Sequence, residues 1–344
     1  MTSMTHRASH AHADRRALPA SRRSLLRSMV ALSFTALAAG AVQAQDFPSR
    51  SLRLVVPFPA GGATDAVSRL AAEQLSPALG QQVVVMNKAG AAGGIASEFV
   101  ANEPADGYTL LVAGQGQMFI NRALGQKLGY DPDGFNYIGM LGAFPNVLVT
   151  HPQSIPAKTI DEFIKLAKEQ PGGLSYGSNG IGSLAHLTTE VLAEAAGVKF
   201  LHVPYQGAAP QMTDLLSGRI GFSVIATQTV VSHIREGKLN ALAVSTGKRF
   251  AGLPDVPTLV ESGFPTLDVP VWFGIFAARE TPAPVLEKLR NTFATVAATP
   301  AYEAGLAKIS AQPLDLPVDR AEARFEAEKK MWVDAVERTG AKVN

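Results

Sequence analysis

The chain has 344 residues, 31 Lys+Arg against 29 Asp+Glu, and no cysteine, so thiol nucleophiles, disulfides and cysteine-based zinc sites are excluded. Stability must come from a buried core, and the length is ample for one or two. Residues 1–44 hold six arginines and one aspartate, which leaves 25 basic and 28 acidic residues, a formal charge of −3, and gives no compositional support for binding nucleic acid.

Residues 1–44 read as an export signal. Arg15, Arg16, Arg22, Arg23 and Arg27 precede an apolar stretch at 29–42, which ends in a Val42-x-Ala44 cleavage pattern. Ser21-Arg22-Arg23-Ser24-Leu25-Leu26-Arg27 fits a twin-arginine motif, and an ordinary arginine-rich signal fits it equally, so both export routes stay open. The apolar run falls short of the roughly 20 residues that span a bilayer. Without a cysteine to lipidate, the mature protein is expected to be soluble in the periplasm.

From residue 52 onward, strand-like runs alternate with helical apolar periods, the pattern of a mainly parallel α/β fold. A strand at 52–57 runs into Pro59-Ala60-Gly61-Gly62-Ala63-Thr64-Asp65 and a helix at 64–79, with Val67, Leu70, Ala71 and Leu75 on one face. The glycines permit positive φ and close approach of a ligand, Thr64 or Asp65 is placed to cap the helix, and no Gly-Lys-Ser/Thr follows to make a Walker A loop. A strand at 83–86 leads into Ala89-Gly90-Ala91-Ala92-Gly93-Gly94, read as a packed turn beneath the first loop. Gln115, Gln117 and Asn121 follow a strand at 109–112, where polar site residues are expected.

After a strand at 147–150 and a helix at 159–168, a strand at 174–176 opens the second junction, Tyr176-Gly177-Ser178-Asn179-Gly180-Ile181-Gly182-Ser183, with a helix at 183–196 and His186 on its first turn. Gly180-Ile181-Gly182-Ser183-Leu184-Ala185 has the form of a dinucleotide fingerprint. The acidic residue expected about 20 positions on is missing from Phe200-Leu201-His202-Val203-Pro204, so a dinucleotide is set aside. His186 either bonds a ligand or faces the adjoining loop, and Tyr205 is either a ligand seat or a half-buried aromatic. A strand at 200–203, a helix at 210–216, strands at 220–225, 241–245 and 271–277, a helix at 284–298 and an amphipathic helix at 320–338 complete the chain.

Both glycine junctions place a helix start, worth roughly half a positive charge, at the carboxyl edge of a sheet. Each is an anion site that needs no Arg or Lys, and two far apart in sequence suggest half-sites facing each other across a cleft. Turn-to-extended passages at 144–151 and 267–276 mark two crossings. They divide the mature chain into a lobe of 45–147 plus 268–344 and a lobe of 148–267, joined by a hinge. There is no Gly-x-Ser-x-Gly elbow and no His-Glu-x-x-His, and His151, His186, His202 and His233 do not sit at metal spacing. No catalytic residue, cofactor or metal is expected. An exported α/β enzyme acting on a small organic acid is the alternative to a binding protein.

The motifs in order resemble the Bug-type extracytoplasmic solute-binding receptors of tripartite tricarboxylate transporters. They run from Leu52-Arg53-Leu54-Val55-Val56-Pro57-Phe58-Pro59-Ala60-Gly61-Gly62-x-x-Asp65 through Pro104-x-Asp106-Gly107-Tyr108, Tyr176-Gly177-Ser178-x-Gly180-x-Gly182-Ser183-x-x-His186 and Pro204-Tyr205-x-Gly207 to Leu253-Pro254-Asp255-Val256-Pro257-Thr258 and Trp272-Phe273-Gly274. The resemblance covers essentially the whole mature chain. It implies a two-lobed periplasmic binding protein of type II-like fold, a monomer, that closes on a di- or tricarboxylate, an aromatic acid or an acidic amino acid and serves a membrane permease. Carried over by position, Phe58, Ala60, Gly61, Gly62, Thr64 and Asp65 contact the ligand from one lobe and Ser178, Asn179, Ser183, His186 and Tyr205 from the other. The chain departs from the family pattern at Met86-Asn87-Lys88-Ala89, at Gln206 and at the bulky Gln115-Gly116-Gln117-Met118-Phe119. Met118, Phe119 and Phe144 are therefore expected to favour an apolar or aromatic acid.

Overall fold

Leu52–Val56 is a branched aliphatic run interrupted only by Arg53, and it forms strand β1 with every residue but Arg53 buried. The computed structural model describes residues 47–170, 172–205 and 208–342; the expected export signal and Gln206 lie outside them. After β1 come α1 (Ala63–Leu79), β2 (Val83–Asn87), α2 (Gly94–Ala101), β3 (Thr109–Ala113) and β4 (Phe135–Phe144). The α1 stripe of Val67, Ala71 and Leu75 is buried, and the helix ends at Gly80 with φ +66.

A second sheet is built the same way from β5 (Asn146–Thr150), α3 (Ile160–Glu169), β6 (Leu174–Ser178), α4 (Leu184–Ala196), β7 (Phe200–Pro204), α5 (Ala208–Leu216), β8 (Phe222–Ala226), α6 (Thr227–Arg235) and β9 (Asn240–Val244). The chain returns to the first sheet through β10 (Val271–Ala278) and finishes with α7 (Ala283–Ala297), α8 (Pro300–Lys308) and α9 (Val318–Thr339).

The strand orders are β2-β1-β3-β10-β4 and β7-β6-β8-β5-β9. Three parallel strands come first in each sheet, β1 between β2 and β3 and β6 between β7 and β8. The last two pairings are antiparallel, with β10 against β3 and β4, and β5 against β8 and β9. The fourth strand in each sheet is the one that has just arrived from the other sheet, and it runs against the βαβ strands. Both sheets are therefore mixed, with four strands of each running one way and one against them, within the expected two-sheet α/β architecture flanked by helices.

Only Pro145 separates β4 from β5, so the chain passes from one sheet to the other in a single residue. The return passage runs beside it. Ser245 N–H donates to the Asn146 carbonyl at 2.9 Å, Val269 N–H donates to the Ser245 carbonyl at 2.9 Å, and Asn146 N–H reaches Ser245 Oγ at 3.3 Å. The C-terminal helix α9, expected to cover one domain face, spans both sheets. Its Trp332 and Val336 share a buried cluster with Leu187 and Leu192 of α4, and Arg338 meets Glu194 at 2.8 Å. Arg324 donates to the Asp268 carbonyl at 3.1 Å, while an Asp268 carboxylate oxygen accepts Gly247 N–H at 2.7 Å. Among the described residues no helix is long and apolar enough to cross a membrane.

Of the elements named above, β4, α2, α6 and α8 were not expected. Gly139 and Gly142 interrupt the apolar pattern of β4, yet the packing requires them. A Cβ at Gly139 would overlap the Phe293 ring of α7, and one at Gly142 would come within 2.9 Å of Leu306 on α8. The β-branched run in α6 favours a strand on propensity, and tertiary packing overrides it. Gly139→Ala should cost about 1–3 kcal/mol by forcing the buried Phe293 ring aside, lowering the thermal midpoint by roughly 2–10 °C in a circular dichroism melt. An unchanged midpoint would mean that α7 is free to lift off β4.

Candidate functional site

The first loop is held from below by Asp65. One of its oxygens accepts Gly61 N–H at 3.0 Å and Arg69 Nε at 2.9 Å, and the other accepts Asn87 Nδ2 at 2.9 Å; the same Asn87 amide reaches the Phe58 carbonyl at 3.0 Å. Arg69 above all, with Gly61 and Asn87, holds the buried carboxyl at a pKa of about 2 against the opposing effect of burial. Gly61 has φ +88, whereas Gly62, the N-cap, is extended at φ −85 with no side-chain cap. The expectation that Thr64 or Asp65 caps α1 is therefore corrected, because the Asp65 carboxylate is turned to Gly61, Arg69 and Asn87. Thr64 is buried too, its carbonyl accepting Ser68 Oγ at 2.6 Å. Ala60, Gly61 and Gly62 are exposed, and the N–H groups of Ala63, Thr64 and Asp65 have no protein acceptor among the described residues.

The second loop is bonded mostly to itself. Ser178 is fully buried; its Oγ lies 2.6 Å from His202 Nε2, donates to the Gly180 carbonyl at 3.0 Å and accepts Gly180 N–H at 3.2 Å. All three contacts are satisfied together when His202 Nε2–H is the donor to Ser178. Gly182 N–H donates to His186 Nδ1 at 3.0 Å, and Ser183 Oγ caps α4 by accepting His186 N–H at 3.3 Å. The His186 and His202 rings stack at 3.9 Å and 7°. Burial first, and His202 second, lowers the His186 pKa to about 4, so the ring is neutral at pH 7. Gly180 and Gly182 have φ +136 and +72, and a Cβ on Gly182 would come within 2.7 Å of Leu124, on the first sheet's side. Among the described residues the N–H groups of Leu184 and Ala185 at the start of α4 take no protein acceptor.

A cleft of ≈ 440 Å³ lies where this loop faces the first sheet. Residues 179–184 form one wall; Phe58, Ala92, residues 114–117, Gln126 and the β10 residues Val271 and Phe273 form the other. Of the residues expected to touch a ligand, Phe58, Asn179 and Ser183 line this cleft. Ala60, Gly61 and Gly62 stand on an exposed turn outside its lining, and Thr64, Asp65, Ser178 and His186 are buried supports of the two loops. Tyr205 is turned elsewhere: its hydroxyl donates to Asp214 at 2.8 Å, and burial together with that carboxylate raises its pKa to about 12.

Several lining residues escaped the sequence reading. From the 89–94 run, expected as a packed turn beneath the first loop, Ala92 reaches the cleft wall. Ala91 and Ala92 take positive φ, and the Ala92 carbonyl accepts Gln117 Nε2 at 2.7 Å and Asn121 Nδ2 at 3.2 Å. Gln115 braces the return crossing, its Nε2 donating to the Pro270 carbonyl at 2.6 Å. Met118, Phe119 and Phe144, expected to shape the ligand's apolar end, belong to the core: Phe119 packs edge-on to Trp272, and Phe144 edge-on to Phe273. The apolar face of the cleft is instead made by Phe58, Ile120, Leu124, Val271 and Phe273.

Comparison with known proteins places the chain in a family and a fold. The tripartite tricarboxylate transporter family receptor (TctC) profile matches residues 67–340. The chain is 33% identical over 311 residues to Protein BugT of Bordetella pertussis, covering 90% of this chain and 95% of that one. A structure from R. palustris with adipate matches at TM-score 0.71 and 34% identity, over 87% of this chain and 100% of that one. MatC from Rhodopseudomonas palustris with bound malate matches at 0.65 and 31%, over 84% and 100%.

The neutral His186 makes stability pH-dependent. Its folded pKa lies below the unfolded value of 6.5, so the unfolded chain binds the extra proton between pH 6.5 and about 4. Its contribution, on the order of 3 kcal/mol, is present in full above that window and lost on going down through it. Asp65 titrates lower, between 3.8 and about 2. Urea unfolding at pH 7 and pH 4.5 should show this loss, and His186→Gln should shrink it. An equal loss in the variant would place the acid-sensitive group elsewhere.

Proposed function

We propose that this chain, which belongs to the tripartite tricarboxylate transporter receptor family, is a periplasmic receptor that captures a small carboxylate-bearing solute between two lobes and delivers it to a membrane permease of that type. The observation that carries the reading is a cleft whose lining includes Leu184, the first residue of α4, with an N–H that takes no protein acceptor among the described residues, and includes no charged side chain. Such a wall suits an anion held by backbone dipoles, and it offers nothing that would transfer a proton or attack a bond. The solutes of the two solved relatives, adipate and malate, support the carboxylate class.

In this reading the solute's carboxylate meets the N–H groups of Leu184 and Ala185 and the Ser183 hydroxyl. Phe58 and Asn179 touch it from opposite walls. The exposed turn of Ala60, Gly61 and Gly62, with the free amides of α1 behind it, approaches as the lobes close about the paired crossings at Asn146, Ser245 and Val269. Thr64, Asp65, Ser178 and His186 hold the loops in shape. Tyr205, bonded to Asp214, positions the strand end that follows β7. The receptor acts as a monomer and releases its solute unchanged. The enzyme alternative has one point of contact, Ser178 beside His202; the full burial of that serine and its bonds to Gly180 count against a role as nucleophile.

A thermal-shift screen over di- and tricarboxylates, aromatic acids, acidic amino acids, sugars and cations tests the reading. A carboxylate at 100 times its Kd should stabilise the protein by about 2.7 kcal/mol and raise the midpoint by roughly 5 °C or more. Ser183→Ala should then weaken binding of that acid roughly 10- to 150-fold in calorimetry, the loss of one hydrogen bond to a charged group. Mass spectrometry should recover the acid intact after prolonged incubation. A midpoint moved by sugars or cations and by no acid overturns the reading, and catalytic consumption of a bound acid returns the enzyme alternative.

A further inference from the structure

β4 is an outer strand of the first sheet, and the segment that joins α8 to α9 runs along its free edge. Two ties hold that segment down. Ala143 and Gln312 exchange both backbone hydrogen bonds at 2.9 Å, and the Tyr137 hydroxyl donates to the Leu316 carbonyl at 2.8 Å. Between the ties lies a cavity of ≈ 470 Å³, bounded by residues 138–141 of β4, by residues 313–318, and by α7 and α8. Its size falls in the range of small-molecule sites, and it shares no lining residue with the cleft.

Apart from Arg290, Asn291, Asp315 and the Tyr302 hydroxyl, the side chains of the lining are apolar. Tyr302 spends that hydroxyl on the Leu141 carbonyl at 2.8 Å. The α7 side of the wall is small, with Ala294, Ala297 and Ala298, and Val318 in the opposite wall is 40% exposed. Arg290 Nε donates to the Tyr137 carbonyl at 3.0 Å, which fixes the guanidinium at that end of the cavity. Its two terminal nitrogens have neither an acceptor nor a carboxylate partner among the described residues. Asp315 does not neutralise it, because that side chain is 89% exposed and lies 3.7 Å from Arg320. Glu322 and Glu326, in the hollow on the other side of Arg290, form no ion pair with it, and Glu326 meets Lys329 at 3.7 Å.

An unpaired guanidinium at one end of an apolar cavity suits an anion with an apolar body. The head makes charge-assisted bonds to the terminal nitrogens, and the chain displaces water from the aliphatic walls. We propose that this cavity is a second binding site, which takes a single-chain amphiphile with an anionic head, a medium-chain carboxylate, with its head on Arg290 and its chain between β4 and residues 313–318. The site is separate from the cleft and does not rest on the receptor reading.

Isothermal titration of the mature protein with decanoate, hexanoate and decyltrimethylammonium at constant ionic strength tests the proposal. Each methylene buried is worth about fourfold in affinity, so decanoate should bind at least about tenfold more tightly than hexanoate. Decyltrimethylammonium should bind at least about tenfold more weakly than decanoate. Arg290→Glu should reverse that choice of head group. Ala297→Trp, which fills the cavity, should abolish decanoate binding, and Ser183→Ala in the cleft should leave it within about twofold. Circular dichroism checks that each variant is folded; if Ala297→Trp is not, Arg290→Glu decides alone. Decanoate that binds no better than the cation, or a preference that survives Arg290→Glu, overturns the proposal. Decanoate binding that Ser183→Ala removes and the cavity variants leave unchanged places the acid in the cleft, which overturns this site and leaves the receptor reading standing.

Discussion

A hydrogen bond from Gly182 N–H to a neutral imidazole holds the second loop in shape. His186 Nδ1 accepts it at 3.0 Å, and it can do so only while that nitrogen is unprotonated. Burial against His202 and Tyr176 keeps the ring neutral. Gly182 sits at φ +72, and a Cβ there would meet the Leu124 side chain at 2.7 Å, so a larger residue is strained at this position. With Gly182, Gly180 and Ser183 N–H groups all consumed inside the loop, the amides of Leu184 and Ala185 are left over at the helix start. What the loop's own bonding leaves unpaired includes the amide of Leu184, a residue of the cleft lining.

The same economy organises the first loop, where a carboxylate plays the part of the imidazole. Asp65 collects Gly61 N–H, Asn87 and Arg69 beneath the turn and keeps its negative charge paired and buried. Two βαβ units, built on β1 and β6, carry these loops, and each sheet is completed by a strand arriving from the other. Because both crossings run side by side through Asn146, Ser245 and Val269, the sheets share one narrow connection; α9 adds a second, through Trp332 against α4 and Arg324 against Asp268.

Much of this was legible in the chain. The strand–glycine–helix junctions at Gly61 and Gly180 are local signals, written in consecutive residues, and both appear where expected. Side-chain direction at those junctions was not local. Ser178 looks like a ligand contact in the motif, yet as the last residue of β6 it points into the sheet's neighbour β7 and finds His202, 24 positions away. Val271 and Phe273 reach the cleft because β10 pairs with β3 and β4, a long-range register that no periodicity encodes. Met118 and Phe119 were bulky residues beside a polar run, and which way they turned depended on Trp272 and Phe325 at the far end of the chain. β4 was missed because its glycines answer to Phe293 and Leu306 on helices that come much later.

The central claim is that backbone amides at a helix start, and no charged side chain, take the carboxylate. Nuclear magnetic resonance of the nitrogen-15-labelled protein, titrated with an acid that raises its thermal midpoint, observes those groups directly. The account predicts that the Leu184 and Ala185 amide protons shift downfield and become protected from solvent exchange at saturation, while the side-chain resonances of Arg69, Lys88 and Lys238 stay in place. Unmoved Leu184 and Ala185 amides, alongside a shifted lysine or arginine signal, would contradict it.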